Sequence, residues 1–394
     1  MLKKLMMAAL AGALGAGVGA QETIKIGVMT IDTGPMAVYN NFVTQPIEMA
    51  VEAFNAQGGA LGRKYEIVQQ AHSGPPAAAI AAATKLAQQS NISFLFGPNT
   101  SAIASAISPR LSDLNALYFD SGSALEDLIG KGCQPNYFRT SPSESMVANM
   151  MRTAVQRSGL KTWNILTADY SAGHDLAKQF TSVVQEMGGS VQTTLYAPLS
   201  AVDFGNYISQ LGAKPAEGLF IFFFGATSIG LAKQQQQFGL FPKYKQVLSY
   251  NFASDLTLPA LGDTVDGVSN IAGYGWDIPG EQNAAFVKAY EQRYKRKPNI
   301  GDIDNYLAME SLHQAILKAK STDINAVRTA LSGLKFNSMI GDVELRAADH
   351  QMVRPMVLLQ VVKGSDGKSV SSMRHLEPGP KVTPPPSPEC KMPR

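Results

Sequence analysis

The sequence is short of most features that mark a catalyst or a nucleic-acid binder. Two cysteines, Cys133 and Cys390, occur in 394 residues, too few for a disulfide scaffold or a four-ligand structural zinc site. Its five histidines are His72, His174, His313, His350 and His375, and none pairs with another at the spacing that sets two on one helix face, so no metal is expected. The net charge is only +3, and a phosphate backbone wants a clustered basic face, so nucleic acid is not an expected partner. Gly58-Gly59-Ala60-Leu61-Gly62-Arg63 lacks the Lys-Ser/Thr ending of a P-loop and lies between a helix and a strand, the reverse of the needed order. Asp169-Tyr170-Ser171-Ala172-Gly173 approaches the Gly-x-Ser-x-Gly elbow of serine hydrolases, but Asp169 puts a side chain where the strained turn needs glycine. No cofactor is expected, and an enzyme is not the leading reading.

Apolar residues are abundant instead. They make up 45% of the chain against 16% charged, which excludes the disordered class, and at about 100–200 residues per domain the length allows two or three domains. Residues 1–20 open Met-Leu-Lys-Lys, continue as a Gly/Ala-rich apolar run and end Val18-Gly19-Ala20, the pattern of a secretory signal. That run is shorter than the ~20 residues of a spanning helix. Cleavage is expected after Ala20, leaving 374 residues with a charge of +1 once Lys3 and Lys4 are removed. Export permits a disulfide. Cys390 stands in a proline-rich tail, residues 377–394, expected to lie outside any core; a bond to Cys133 would order it, and two inert thiols are the alternative.

From Thr23 strand-like and helix-like segments alternate, separated by Gly, Pro, Asn or Asp, as repeated βα units do. Ile24, Ile26 and Val28 alternate; Ile47, Ala50, Val51 and Phe54 recur at helical spacing until Gly58-Gly59. The cycle continues through strand 65–68, helix 76–89, strand 92–96, a helix after Ser101 and strand 116–119. A second series runs through strand 163–166, helix 174–187, strand 191–196, helix 204–211 and the apolar run Leu219 to Phe224. Such continuous runs suit strands buried on both faces of a parallel sheet. Helices 281–294 and 304–319 and strand 356–362 follow, so the series need not be simply consecutive.

Two polar turns follow apolar strands: Gly97-Pro98-Asn99-Thr100-Ser101, leading into a helix, and Asp120-Ser121-Gly122-Ser123-Ala124-Leu125-Glu126, where Ser123 and Glu126 have capping-box spacing. Both fall at the carboxyl edge of a parallel sheet, where α/β folds bind ligands. Free N–H groups at helix N-termini, with serine hydroxyls, suit a carboxylate. Ordinary helix caps are the alternative.

In order along the chain, Ile24-Lys-Ile-Gly-Val-Met, Gly34-Pro35-x-Ala37-x-Tyr39, Phe54-Asn55-Ala56-x-Gly58-Gly59-x-Leu61-Gly62-Arg63, Gly97 to Ser101, Ala168-Asp169-Tyr170-x-x-Gly173-His174 and Gly239-Leu240 resemble the leucine/isoleucine/valine-binding proteins. These are type I periplasmic solute-binding proteins of ABC uptake systems. The resemblance implies an α/β fold of two lobes, each a parallel-dominated sheet flanked by helices, joined by three hinge crossings, with ligand in the cleft between them. Lobe one would comprise 23–141 plus 274–348 and lobe two 142–273 plus 349–376. It also implies a periplasmic location, capture of a small carboxylate, delivery to a membrane permease, and a monomer.

By the same resemblance the ligand carboxylate would be held at Ser101 and Gly122-Ser123, with Thr100 beside them. Tyr39 and Phe224-Gly225 would wall the ligand, and Tyr170 and Ala172 would face it from lobe two. Ala172 replaces an aromatic residue of amino-acid binders, and Asn251 falls where they place a carboxylate for the ligand's ammonium. A buried ammonium without an anion is strongly disfavoured, which points toward an aromatic or aliphatic acid as much as an amino acid, although Asp169, Asp277, Asp302 or Asp304 stand as other sources of charge. Two further classes remain in view: a secreted serine hydrolase using Ser171, and a ligand-sensing module for a signalling partner.

Overall fold

A computed structural model describes residues 22–33, 37, 39–97, 100–255 and 257–392. The expected signal segment and its cleavage point, and Gly34, Pro35, Pro98 and Asn99 of the quoted motifs, lie outside these residues.

Strands β1 (Ile24–Ile31), β2 (Tyr65–His72), β3 (Phe94–Phe96), β4 (Leu117–Asp120) and β5 (Tyr137–Arg139) form a wholly parallel sheet in the order β2-β1-β3-β4-β5. Strands β6 (Thr162–Ala168), β7 (Ser190–Ala197), β8 (Gly218–Phe222), β9 (Gln246–Tyr250) and β10 (Ser269–Ala272) begin a second sheet. Strands β11 (Leu334–Ser338), β12 (Gly341–Leu345) and β13 (Met352–Val353) make a small antiparallel sheet of their own. Strands β14 (Met356–Lys363) and β15 (Ser369–Glu377) complete the second sheet, ordered β15-β14-β10-β9-β8-β6-β7, with β14 antiparallel to both neighbours.

The apolar runs explain the strands. All five residues of β8 are buried, because helices cover both faces of its sheet and each apolar side chain so buried contributes about 1.5–3 kcal/mol. Helix Asn41–Ala56 turns Val43, Ile47, Ala50, Val51 and Phe54 inward at the expected period. Separate apolar clusters lie on the two faces of each large sheet: Ile26, Phe96 and Leu307 against Met29, Leu95 and Ile103 for the first, and Leu166, Ile221 and Phe252 against Met150, Trp163 and Phe220 for the second.

Some expectations shift. The helix expected at 304–319 starts at Ile300, because Asn299 caps it and Asp302 bonds back to the Asn299 N–H. The run expected to continue to Phe224 leaves the sheet after Phe222. The proline-rich tail does not lie outside the cores: Val382 is fully buried in the cluster of Met146, Met150 and Met356, and Asn149 Nδ2 donates to its carbonyl at 2.9 Å. Cys133 and Cys390 form a disulfide.

The chain passes between the two large sheets after β5, after β10 and between β13 and β14. Arg354, fully buried, binds at all three passages: its Nη1 donates to Thr140 O and its Nη2 to Gly273 O, each at 2.9 Å, and it is ion-paired with buried Asp304. Burial raises the Asp304 carboxyl to about 7 despite that partner. Beside it, Arg139 Nε donates to Gln351 Oε1 at 2.5 Å, while Gln351 Nε2 donates to Ser141 O at 2.9 Å.

Candidate functional site

The carboxyl ends of β3 and β4 bring together the two polar turns singled out above. Thr100 has extended backbone and caps the helix Ser101–Ile107, its hydroxyl oxygen accepting from Ile103 N at 3.3 Å. The Ser123 hydroxyl, completely buried, donates to Ser101 Oγ at 3.1 Å. Two candidates separated by twenty-two positions therefore form one hydroxyl pair.

The second turn is not built as expected. Only a short 3₁₀ turn, Glu126–Ile129, follows it, and its cap position is Leu125. The Gly122 and Ser123 N–H groups both donate to Asp120 Oδ1 at 3.0 Å, so here the Asp120 carboxylate occupies the donors assigned to the ligand. Tyr137 OH donates to its other oxygen at 2.6 Å. Burial nevertheless raises the Asp120 carboxyl, and these bonds and the Arg139 charge pull it back down. Capping-box spacing misled because Asp120 takes the Ser123 N–H, while the Glu126 carboxylate accepts from Ser145 N at 2.7 Å instead.

On the second sheet the Tyr170 ring lies 6.2 Å from Phe222 and 6.0 Å from Phe224, and Phe222 stacks on Tyr250 at 5.8 Å. Phe224 is 41% exposed and Gly225 opens helix Gly225–Phe238. Tyr170 and Ala172 flank the start of helix Ser171–Glu186. Gly173 explains the motif around it: a Cβ there would stand 1.9 Å from the Ala168 carbonyl oxygen, so glycine lets the helix start pack on the end of β6. This requirement, rather than a nucleophile elbow, accounts for the glycine. His174, the histidine nearest Ser171, bonds Asp169 at 2.7 Å and stacks on Tyr196 at 4.0 Å.

Tyr39 is 40% exposed and contacts Phe42 at 5.9 Å. Asn251 follows β9 with φ of +63° and an exposed side chain, a conformation asparagine tolerates better than most residues. Among the described residues no hydrogen bond or ring contact joins Tyr39, Ser101 or Ser123 to Tyr170, Phe224 or Asn251, so the candidates form two separate groups. A crevice of about 670 Å³ is lined by Phe42, Trp276 and Lys297 on one side and Asp255, Leu258 and Ser371 on the other, and none of the ten candidates lines it.

Sequence reasoning missed Glu144. Its N–H donates to Ala124 O at 3.0 Å, directly after the Gly122-Ser123 turn. Its carboxyl is raised by burial and then by the charges of Glu126 and Asp175, and it in turn helps raise Tyr250 to about 12, after burial. It begins helix Glu144–Ser158 behind the Ser143 cap, so it reads as an ordinary acidic first-turn residue. The described residues hold no group of three or more His, Cys, Asp and Glu suited to a metal ion, and no helix among them is long and apolar enough to cross a membrane.

Residues 23–368 match the family model described as periplasmic binding protein. Leu/Ile/Val-binding protein homolog 7 of Brucella melitensis is 25% identical over 351 residues, covering 85% of this chain and 87% of the relative. The leucine-, isoleucine-, valine-, threonine- and alanine-binding protein of Brucella ovis, in a closed conformation, superposes with a TM-score of 0.83 at 21% identity, covering 95% of this chain and 100% of that one. A Rhodopseudomonas palustris solute-binding protein in complex with benzoate gives 0.75 at 24% identity, over 89% and 96%. The two-sheet architecture with three passages is the fold these structures share, and the chain belongs to the periplasmic binding protein family, solute-binding proteins rather than enzymes.

Proposed function

We propose that the protein captures a small carboxylate between two lobes and hands it to an ABC permease. The observation that carries the reading is the Ser123–Ser101 hydroxyl pair at the ends of adjacent parallel strands, a donor arrangement suited to one carboxylate. In this reading the lobes are 23–141 with 274–348 and 142–273 with 349–376, and the pairing of β13 with β12 favours carrying lobe one on to Val353. Tyr39 closes over the ligand from lobe one and Tyr170 and Phe224 from lobe two. Ligand that binds only the closed arrangement shifts the hinge equilibrium by its differential affinity. Signal cleavage after Ala20 completes the reading, and the receptor acts as a monomer.

Neutral Asn251 supports an amine-free acid. Glu144 favours a second reading, an amino acid whose ammonium pairs with that carboxylate. Equilibrium titration of the mature protein against amino acids, benzoates and cinnamates tests both, and saturable binding to none of them overturns the proposal. Glu144→Gln discriminates: it weakens an amino acid at least tenfold, about 1.4 kcal/mol, but leaves an amine-free acid bound equally well or better.

A further inference from the structure

The C-terminal tail, which a Cys133–Cys390 bond was expected to bring back to lobe one near the hinge, runs from one lobe to the other. It leaves the second sheet at the end of β15. Gly379 then lies directly on Arg354: a Cβ at Gly379 would stand 2.9 Å from Arg354 N and 3.0 Å from its Cα and C, so glycine is required for the tail to touch the hinge crossing. Helix Gly379–Val382 follows. Val382, wholly buried among Met146, Met150 and Met356, anchors it to lobe two together with the Asn149 bond.

Beyond Val382 the partners change sides. Arg346 Nη1 donates to Pro384 O at 2.5 Å while its Nη2 is ion-paired with buried Asp349 at 2.5 Å. Arg346 directly follows β12, whose Val343 and Leu345 lie in the lobe-one core. Cys390 is then bonded to Cys133, which is buried between β4 and β5. Only Thr383 separates Val382, anchored in lobe two, from Pro384, bonded to lobe one, and full extension allows only ~3.3–3.6 Å per residue. The connection therefore has little slack.

We propose that residues 378–390 form a fourth connection between the lobes, a strap beside the hinge that limits how far they separate. The proposal rests on the two-lobe reading above but not on the ligand. Its consequence is that the ligand-free receptor explores a narrower range of openings than its three crossings alone would permit.

Two variants of the full mature chain test it. Cys133→Ser with Cys390→Ser releases the lobe-one end. An eight-residue Gly/Ser insertion between Thr383 and Pro384 keeps every anchor, the disulfide included, and only makes the strap slack. Both should increase the radius of gyration of ligand-free protein in small-angle scattering. Both should also accelerate amide exchange several-fold at 139–141, 273–275 and 351–354 while leaving β8 protected. The proposal is overturned if the inserted chain scatters and exchanges like the parent, or if the cysteine variant speeds exchange only within 378–392. Loss of protection in β8 would mean that the cysteine variant is unfolded, and the insertion then decides alone. Because neither measurement uses ligand, a failed titration and a failed strap are separate results.

Discussion

Ser123→Ala removes a hydroxyl whose recorded bond goes to Ser101 Oγ, not to a charged group. As a neutral pair the bond is worth about 0.5–1.5 kcal/mol. Once a carboxylate is bound, Ser101 Oγ can accept from Ser123 while donating to the ligand, and a hydrogen bond to a charged group is worth about 1.5–3 kcal/mol. Ser101→Ala should therefore weaken binding about 12- to 150-fold, and Ser123→Ala about 2- to 12-fold. The double variant should lose no more than Ser101→Ala alone, because Ser123 acts through Ser101, and such coupling is what a double-mutant cycle measures. Calorimetric titration of the four proteins with the best carboxylate supplies the numbers. Additive losses, or a larger loss for Ser123→Ala, would show that Ser123 meets the ligand directly; unchanged affinity in the double variant would place the carboxylate elsewhere.

The Glu310 carboxyl is raised by burial from 4.5 to about 7, and its Oε2 has no hydrogen-bond partner among the described residues. The stability it contributes is fully present below about 4.5 and is lost as pH rises through about 7, up to about 3 kcal/mol by linkage; denaturant titrations of Glu310→Gln should show a flatter profile over that interval, and parallel profiles would refute the assignment. Gly173→Ala should cost more than about 1 kcal/mol, the scale of a routine core change, because its Cβ meets the Ala168 carbonyl; a melting temperature within error of the parent would contradict this packing. Mass spectrometry of alkylated exported protein should find no free thiol until a reductant is added, and two alkylated cysteines in unreduced protein would refute the disulfide.

The fold was legible wherever periodicity was strong. Strands β1, β3, β4, β6, β7 and β8 and helix Asn41–Ala56 stand where their apolar residues put them. The three-residue strand β5 and the four-residue strand β10 escaped because so few residues carry no period. Helix Glu144–Ser158 escaped although Ser143 caps it and Met146, Val147, Met150, Met151, Ala154 and Val155 form its buried stripe. The Ser101–Ser123 pairing followed from topology, since consecutive parallel strands end side by side. Asp120 escaped because an acidic residue in a Ser-Gly turn looks like turn chemistry until the N–H groups it binds are known. The buried charges Arg354, Asp304 and Arg139 lie far apart in sequence, and no local pattern reveals that they meet.

Arg354 has a consequence beyond the hinge. Two bodies joined only by chain crossings would ordinarily unfold independently, each at its own temperature. Here one guanidinium is hydrogen-bonded to the first and second passages from its own place in the third, and its counter-charge, Asp304, sits on the long helix of the first body. Melting either body exposes that cation or leaves the Asp304 carboxylate stranded, so the loss of one body takes away part of what holds the other. Heat should dissolve both in a single cooperative event, and neither half should persist alone.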